Sequence, residues 1–461
     1  MKKGQDFIRY IRDHVFILDG ATGSNLQALN LSRDDFAGKE GCNENLVLSK
    51  PAVVRELHRS FLEVGCMGVE TDTFGGSRLK LEEYGLGDKV IDINRRAAEI
   101  AREMCEPYGD GRLVFGSIGP TGMLPSSTDP LLGNISFDAL ANMFEEQASA
   151  LILGGADVLT VETSQDILEA KAALIGCRRA VAQSKKTVPI MMHVTLDPHG
   201  RMLLGTDIGS ALVTLESMGT DVIGINCSTG PEEMRDSIRF LSRHSRIPIS
   251  CLPNMGIPQN VEGVAVYPLE PDEFAKKSAE FVETFGVAVC GGCCGSTARH
   301  LDALVRRLKH VILSPRDVSP LDAISSAITY VTLRQEPPPL LVGERINAQG
   351  SRKMKELLLA DDLESIASLA RVQSEKGAHA LDVCVALNEV EGETERFVRL
   401  AKILSQQVNL PIMIDSTDSE VVNEALKNYP GRVIVNSVNL ENGEQRITEV
   451  GDAVRDFGAM V

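Results

Sequence analysis

The sequence predicts an α/β protein: a (β/α)8 TIM barrel followed by a second, C-terminally truncated (β/α) barrel-type domain. Three observations carry this reading. A short run of β-branched and aliphatic residues with a polar or glycine-bearing tip, then a longer segment of helical period, recurs eight times before residue 300. The runs are apolar throughout, as strands buried on both faces must be, which indicates a parallel sheet. A triple proline, 337-PPP-339, then reads as a stiff connector ahead of a second series of the same kind.

In chain order the first series is 15-VFILDG-20, 67-MGVETDTF-74, 113-LVFGSIGP-120, 158-VLTVETS-164, 188-VPIMMHVTL-196, 221-DVIGINCS-228, 247-IPISCLPN-254 and 285-FGVAVCGGCCG-295. Segments such as 51-PAVVRELHRSFLEVG-65 and 165-QDILEAKAALIGCRRAVAQ-183 have the helical period between them. Eight strand-helix units in about 300 residues suit a closed barrel, whose active site lies at the carboxyl ends of the strands. An open doubly wound sheet is the runner-up, but 20-GATGSN-25 does not supply the GxGxxG spacing of a dinucleotide turn. The expected division is a first domain over 1–313, a linker over 314–339 and a second domain over 340–461.

The second series is 340-LLVGERIN-347, 378-AHALDVCV-385, 410-LPIMIDST-417, 432-RVIVNSVN-439 and 457-FGAMV-461. Its fifth run is cut by the end of the sequence, so a second barrel cannot close on these strands and would leave an open edge. The expectation is therefore a piece of a longer chain.

Composition narrows the function classes. Of 461 residues, 43% are hydrophobic and 24% charged, as in soluble globular proteins. A formal net charge of −17, scattered along the chain, offers no footprint for nucleic acid or an anionic membrane surface. No apolar run reaches the ~18 residues of a membrane helix, and 1-MKKGQDFIRYIRDHVFILDG-20 carries charges where a signal peptide needs its apolar core. A cytoplasmic protein is expected, in which ten cysteines are buried thiols, metal ligands or reactive groups rather than a disulfide framework.

Three of those cysteines converge in the predicted barrel. Cys227 ends the sixth strand and Cys293 and Cys294 follow the eighth, so all three fall at one mouth. Zinc suits thiolates, and a site with three protein ligands keeps a position for water or substrate. Gly291, Gly292 and Gly295 would let the backbone bend so that neighbouring thiols face one ion. Such an ion holds an incoming thiol as thiolate near neutral pH. The same spacing also fits buried small hydrophobes or a redox pair. Cys290 reads as core, and Cys42, Cys66, Cys105, Cys177, Cys251 and Cys384 lack convergent partners; His193 reads as a hydrogen-bonded residue rather than a ligand.

The set 18-LDGATGS-24, 41-GCNENLVLSKP-51, 70-ETDTFGG-76, 161-VETSQD-166, 224-GINCSTGP-231, 253-PNMG-256 and 291-GGCCGST-297 resembles the homocysteine-binding barrel of zinc-dependent homocysteine S-methyltransferases, over roughly residues 10–310. The resemblance implies that Cys227, Cys293 and Cys294 bind zinc and that zinc holds the homocysteine sulfur. It implies that Asp19 and Glu162 hold the amino group, with nearby backbone amides taking the carboxylate. A lone carboxylate at a strand tip also fits a helix cap or a lysine partner, and Glu70 fits a structural network better than a ligand.

The second series, with 342-VGERINAQGS-351, 381-LDV-383, 414-IDST-417 and 435-VNSVN-439, is similar to the pterin-binding barrel of the cobalamin-dependent methionine synthase family. By that resemblance Asp382, Asp415 and Asn436 contact the pterin, and Glu344 and Asn347 belong to the opening motif. A pterin edge offers donors and acceptors that a buried carboxylate and carboxamide can pair with. Asp415-Ser416 and Asn436-Ser437 also fit helix caps. Cys384 stands where the family has Asn.

The resemblance implies a methionine synthase cycle in which 5-methyltetrahydrofolate recharges methylcobalamin, which methylates zinc-bound homocysteine. No DxHxxG cobalamin signature occurs in the sequence, so a cobalamin module in cis or in trans is expected, with good use of supplied methylcobalamin and poor use of methylfolate. Two alternatives stay open: a thiol or homocysteine S-methyltransferase using another donor, and a noncatalytic zinc- or pterin-binding scaffold.

Overall fold

A computed structural model of the chain describes residues 3–261, 264–387, 391–438 and 444–461. Each run of the first series contains a strand: β1 (Phe16–Ile17), β2 (Gly68–Glu70), β3 (Leu113–Ile118), β4 (Val158–Ser164), β5 (Ile190–Val194), β6 (Val222–Asn226), β7 (Ile249–Leu252) and β8 (Val289–Cys290). They pair in parallel in chain order from β2 to β8, and β8 pairs with β1. Met67 N donates to Ile17 O at 2.7 Å and closes the ring between β1 and β2.

Alternation along each strand divides two apolar sets. Phe16, Phe115, Val158, Met191, Val222 and Val289 pack together inside the barrel. Ile17, Val114, Leu159, Met192 and Ile223 pack outward under the helices. The helix Lys3–Tyr10 plugs the amino end: the Phe7 ring stands edge-on to Phe16 at 5.2 Å and to Phe115 at 5.4 Å between centroids. The carboxyl mouth is left for polar side chains.

The second series forms a parallel sheet in chain order, β9 (Val342–Asn347), β10 (Ala380–Cys384), β11 (Ile412–Asp415) and β12 (Ile434–Asn436). Position 439, the last of the 432–439 run, lies outside the described residues. The 457–461 run is not a five-residue strand. Phe457 closes the helix Gln445–Phe457, Gly458 turns left-handed with φ 63, and Met460 makes a parallel bridge to Ile434. Val450, Ala453 and Phe457 are buried at helical spacing, and that period prevails over the short apolar run.

Between the two sheets, Ala323–Ser325 and Tyr330–Thr332 pair as an antiparallel hairpin. Ser210 Oγ and the Thr214 hydroxyl, from the helix Ile208–Ser217, bond to Ser326 O and Ser325 Oγ at 2.7 and 2.9 Å. From the other side Arg432 donates to Ala323 O at 3.0 Å and its amide to Ser325 Oγ at 2.8 Å. The hairpin is thus wedged between the barrel and the second sheet. Direct contacts join them too: Lys171 Nζ, buried, donates to Leu426 O and Tyr429 O at 3.0 and 2.6 Å, and Arg178 donates to Asp456 O at 3.0 Å. Among the described residues no helix is long and apolar enough to cross a membrane.

Candidate active site

Strand parity would send Cys227 outward, because Val222 faces the barrel interior and Ile223 and Ile225 pack under the helices. The chain instead turns left-handed at Cys227 (φ 61) and Ser228 (φ 63), conformations that cost non-glycine residues about 1–3 kcal/mol each. The turn brings the Cys227 thiol over the mouth, 3.7 Å from Cys294 Sγ. The sulfurs of Cys227, Cys293 and Cys294 all lie within 4.8 Å of one another.

Backbone bonds fix this arrangement: Cys227 N to Leu252 O at 3.2 Å, Cys293 N to Pro253 O at 2.8 Å, and Met255 N to Cys294 O at 3.0 Å. The three loop glycines act in two ways. Gly295 has φ 82, whereas at Gly292 a Cβ would stand 2.5 Å from Ser296 Oγ and at Gly291 2.8 Å from Asp19 O. Gly291 and Gly292 therefore serve close approach rather than an unusual dihedral.

The thiols share charge unequally. Hydrogen bonds from Cys227 and then Cys293 hold the Cys294 thiol down to about 3, while its bonds with Cys227 and Cys294, and burial, push Cys293 well above the ordinary thiol range. Full ionisation of such a set requires a cation in its midst. The donors, their number and their mutual distances fit zinc.

Glu162, at the tip of β4, faces the same cavity, whose volume is about 250 Å³. Ser117 Oγ donates to Glu162 Oε1 at 2.5 Å and Asn226 Nδ2 to Oε2 at 3.0 Å; the same Nδ2 stands 4.0 Å from Cys293 Sγ. Asp19 is buried beneath the lining and takes the Glu70 amide at 3.1 Å, so it caps no helix and pairs with no lysine. Burial first, and then the mutual proximity of Asp19, Glu70 and Glu162, raises the Asp19 and Glu70 carboxyls well above the usual range. Burial also raises Glu162, to about 7 against its hydrogen bonds.

A second polar cluster sits at the tips of the second sheet. Asn347 Nδ2 donates to Asp382 Oδ2 at 2.6 Å and to Asp415 Oδ2 at 2.7 Å, while its Oδ1 accepts from the Gln349 amide at 2.8 Å. Asn436 stands in register opposite Asp415. Glu344 lies exposed in the irregular stretch of β9 between Gly343 and Ile346, near enough to help raise the Asp382 carboxyl, for which burial is the first cause. The helix after β11 is capped by Asp418, not by Asp415.

The family model for homocysteine S-methyltransferase matches residues 16–308, and that for pterin-binding enzymes matches 343–461. The chain belongs to the homocysteine S-methyltransferase family. It is 39% identical over 462 residues to a methionine synthase of Mycobacterium tuberculosis and 39% over 467 residues to one of Mycobacterium leprae. Each match covers 99% of this chain and 38% of the relative, so the chain spans well under half the length of these curated relatives. The barrel also superposes on the homocysteine methyltransferase MmuM from Escherichia coli, with a TM-score of 0.52 at 22% identity, over 64% of this chain and 96% of that one.

In this member of the homocysteine S-methyltransferase family the barrel mouth also holds residues that strand order alone does not single out. Asn226 and Ser117 orient Glu162. Tyr267 hydrogen-bonds the Cys294 thiol. Asn226 was within reach of sequence reasoning, since it precedes Cys227 at the same strand tip. Tyr267 follows a hairpin beyond β7 and carries no periodic signal. The other seven cysteines, Cys290 among them, are buried, and His193 bonds to Ser250 Oγ at 2.9 Å inside the barrel.

Proposed function

We propose that the chain transfers a methyl group to the sulfur of homocysteine, giving methionine, with methylcobalamin as immediate donor and 5-methyltetrahydrofolate as the source that recharges it. One observation carries the reading: three thiols within 4.8 Å of one another share a cavity with buried, unpaired carboxylate oxygens. A thiolate-holding metal and an ammonium-holding acid set in one cavity are what an amino-acid thiol requires at its two ends.

Cys227, Cys293 and Cys294 would hold zinc, which when bound lowers the pKa of a thiol that reaches its open position. Glu162, fixed by Ser117 and Asn226, and Asp19, bonded to the Glu70 amide beneath the lining, are the acids on the amino group's side of the cavity. The amides of Thr22, Gly23 and Ser24 in the cavity lining are the donors for the carboxylate. Holding the substrate at three points sets its sulfur toward the mouth, where the donor must approach.

In the second domain Asn347, Asp382, Asp415, Asn436 and Glu344 form the pterin-facing set. The cobalamin would be carried by a further module, in the same longer chain or on a partner, able to reach both mouths. That none of the ten cysteines is in a disulfide supports the reducing environment of the cytoplasm.

The test is methionine formation from homocysteine and supplied methylcobalamin, with and without zinc. Turnover should require the metal, and Cys293→Ala should lose at least about a hundredfold of it along with the bound zinc. Equal turnover by zinc-free protein would remove the proposal.

A further inference from the structure

The cavity that would receive homocysteine is lined by no Lys, Arg or His among its described residues, yet acids crowd it. The distribution of their hydrogen bonds separates them. Both oxygens of Glu162 already accept from Ser117 and Asn226. Asp19 spends Oδ2 on the Glu70 amide and keeps Oδ1 buried without a partner, but it lies beneath the lining. Glu70 belongs to the lining itself, and its Oε1 is buried without a hydrogen bond from the protein.

A carboxylate serving only a structural network would have its oxygens satisfied within that network, because a buried unpaired acceptor is costly. Glu70 is instead held by its backbone, through Asp19, with its carboxyl left for something that enters the cavity. Asp72 also has an unpaired oxygen, but the acid it faces is Glu44 rather than Asp19 or Glu162. An ammonium group has three N–H donors and needs acceptors on more than one side. Asp19 Oδ1 and Glu70 Oε1 are the two unpaired oxygens beside Glu162.

We propose that Glu70 is a substrate-positioning residue that accepts a hydrogen bond from the α-ammonium group of the bound amino-acid thiol. This assignment rests on the homocysteine reading and adds to it the acid that selects thiols bearing an amino group. Asp19 then acts in part through Glu70, by fixing the strand tip that presents it.

The experiment is calorimetric binding of two thiols to the zinc-supplied chain: homocysteine, and 4-sulfanylbutanoate, which keeps thiol and carboxylate and lacks the amino group. Glu70→Gln preserves shape and removes charge. It should weaken homocysteine binding about tenfold, the loss expected when a charge-assisted bond becomes a neutral one, and leave 4-sulfanylbutanoate within about twofold. The analogue also reports that the cavity is intact. If the variant weakens both thiols alike, or neither, the assignment of Glu70 falls while the homocysteine reading stands. If the unsubstituted chain binds neither thiol, the homocysteine reading falls and takes this assignment with it.

Discussion

Asn347 is the narrowest point in the second domain's chemistry, because one carboxamide nitrogen serves two carboxylates, Asp382 and Asp415, while its oxygen takes the Gln349 amide. Bonds of this kind to charged groups are worth about 1.5–3 kcal/mol each when partners stay buried. Asn347→Ala leaves two acids facing each other without a donor, and the tips of β9, β10 and β11 lose their common link. Binding of 5-methyltetrahydrofolate, followed by fluorescence or calorimetry, should weaken at least about tenfold. Unchanged affinity would show that the cluster does not face the pterin. At this scale strand order placed Cys227, Cys293 and Cys294 at one mouth, at the ends of β6 and β8, but the left-handed turn that swings the Cys227 thiol inward was not readable. Nor was Glu70, because its meaning lies in an oxygen that no neighbour occupies, and unpaired atoms leave no mark on spacing.

The elements explain why those tips can hold their side chains. The loop after β8 carries two adjacent metal-ligand candidates, and its last glycine, Gly295, combines φ 82 with a Cβ position 2.3 Å from Tyr267 Cγ. Gly295→Ala therefore meets both a dihedral penalty of about 1–2 kcal/mol and a clash with the ring whose hydroxyl bonds Cys294. The loop must shift, and the thiols with it. Competition with a chromophoric chelator should show zinc affinity reduced about ten- to a hundredfold, and an affinity within twofold of the unsubstituted chain would contradict this. Strand and helix positions followed from apolar runs because a barrel strand buried on both faces has a composition of its own. The run at 457–461 misled, since Phe457 satisfies the helical period as well as the strand pattern and the helix already had Val450 and Ala453 buried. The hairpin within 314–339 was invisible, its strands being three residues each and fixed by hydroxyls and Arg432 rather than by alternation.

Across the whole molecule, the barrel and the second sheet meet at a charge that has no counter-charge among the described residues. Lys171, from the barrel helix Ile167–Ser184, inserts its ammonium at the carboxyl end of the helix Ser419–Asn428, where Leu426 O and Tyr429 O accept, and its Nζ stands 5.5 Å from the Phe457 ring centroid. Helix-end carbonyls and a ring face compensate part of the desolvation. Burial lowers the lysine to about 7 from its ordinary 10.5. The neighbouring pairs of this interface, Arg178 with Asp456 and Lys427 with Asp138, are more exposed. For a base whose folded pKa is depressed, the unfolded chain binds more protons between the two values, so stability rises with pH from about 7 to about 10.5, by up to ~1.4 kcal/mol per unit. Below pH 7 both states are protonated and this term is flat. Lys171→Met removes the titrating group at the cost of two unpaired carbonyls, about 1–3 kcal/mol each. Calorimetric unfolding from pH 6 to 9.5 should show the unsubstituted chain gaining stability relative to the variant as pH climbs, with the gap between the curves narrowing or reversing above neutrality in favour of Lys171. Parallel curves across that range would mean that the ammonium is not confined at the interface.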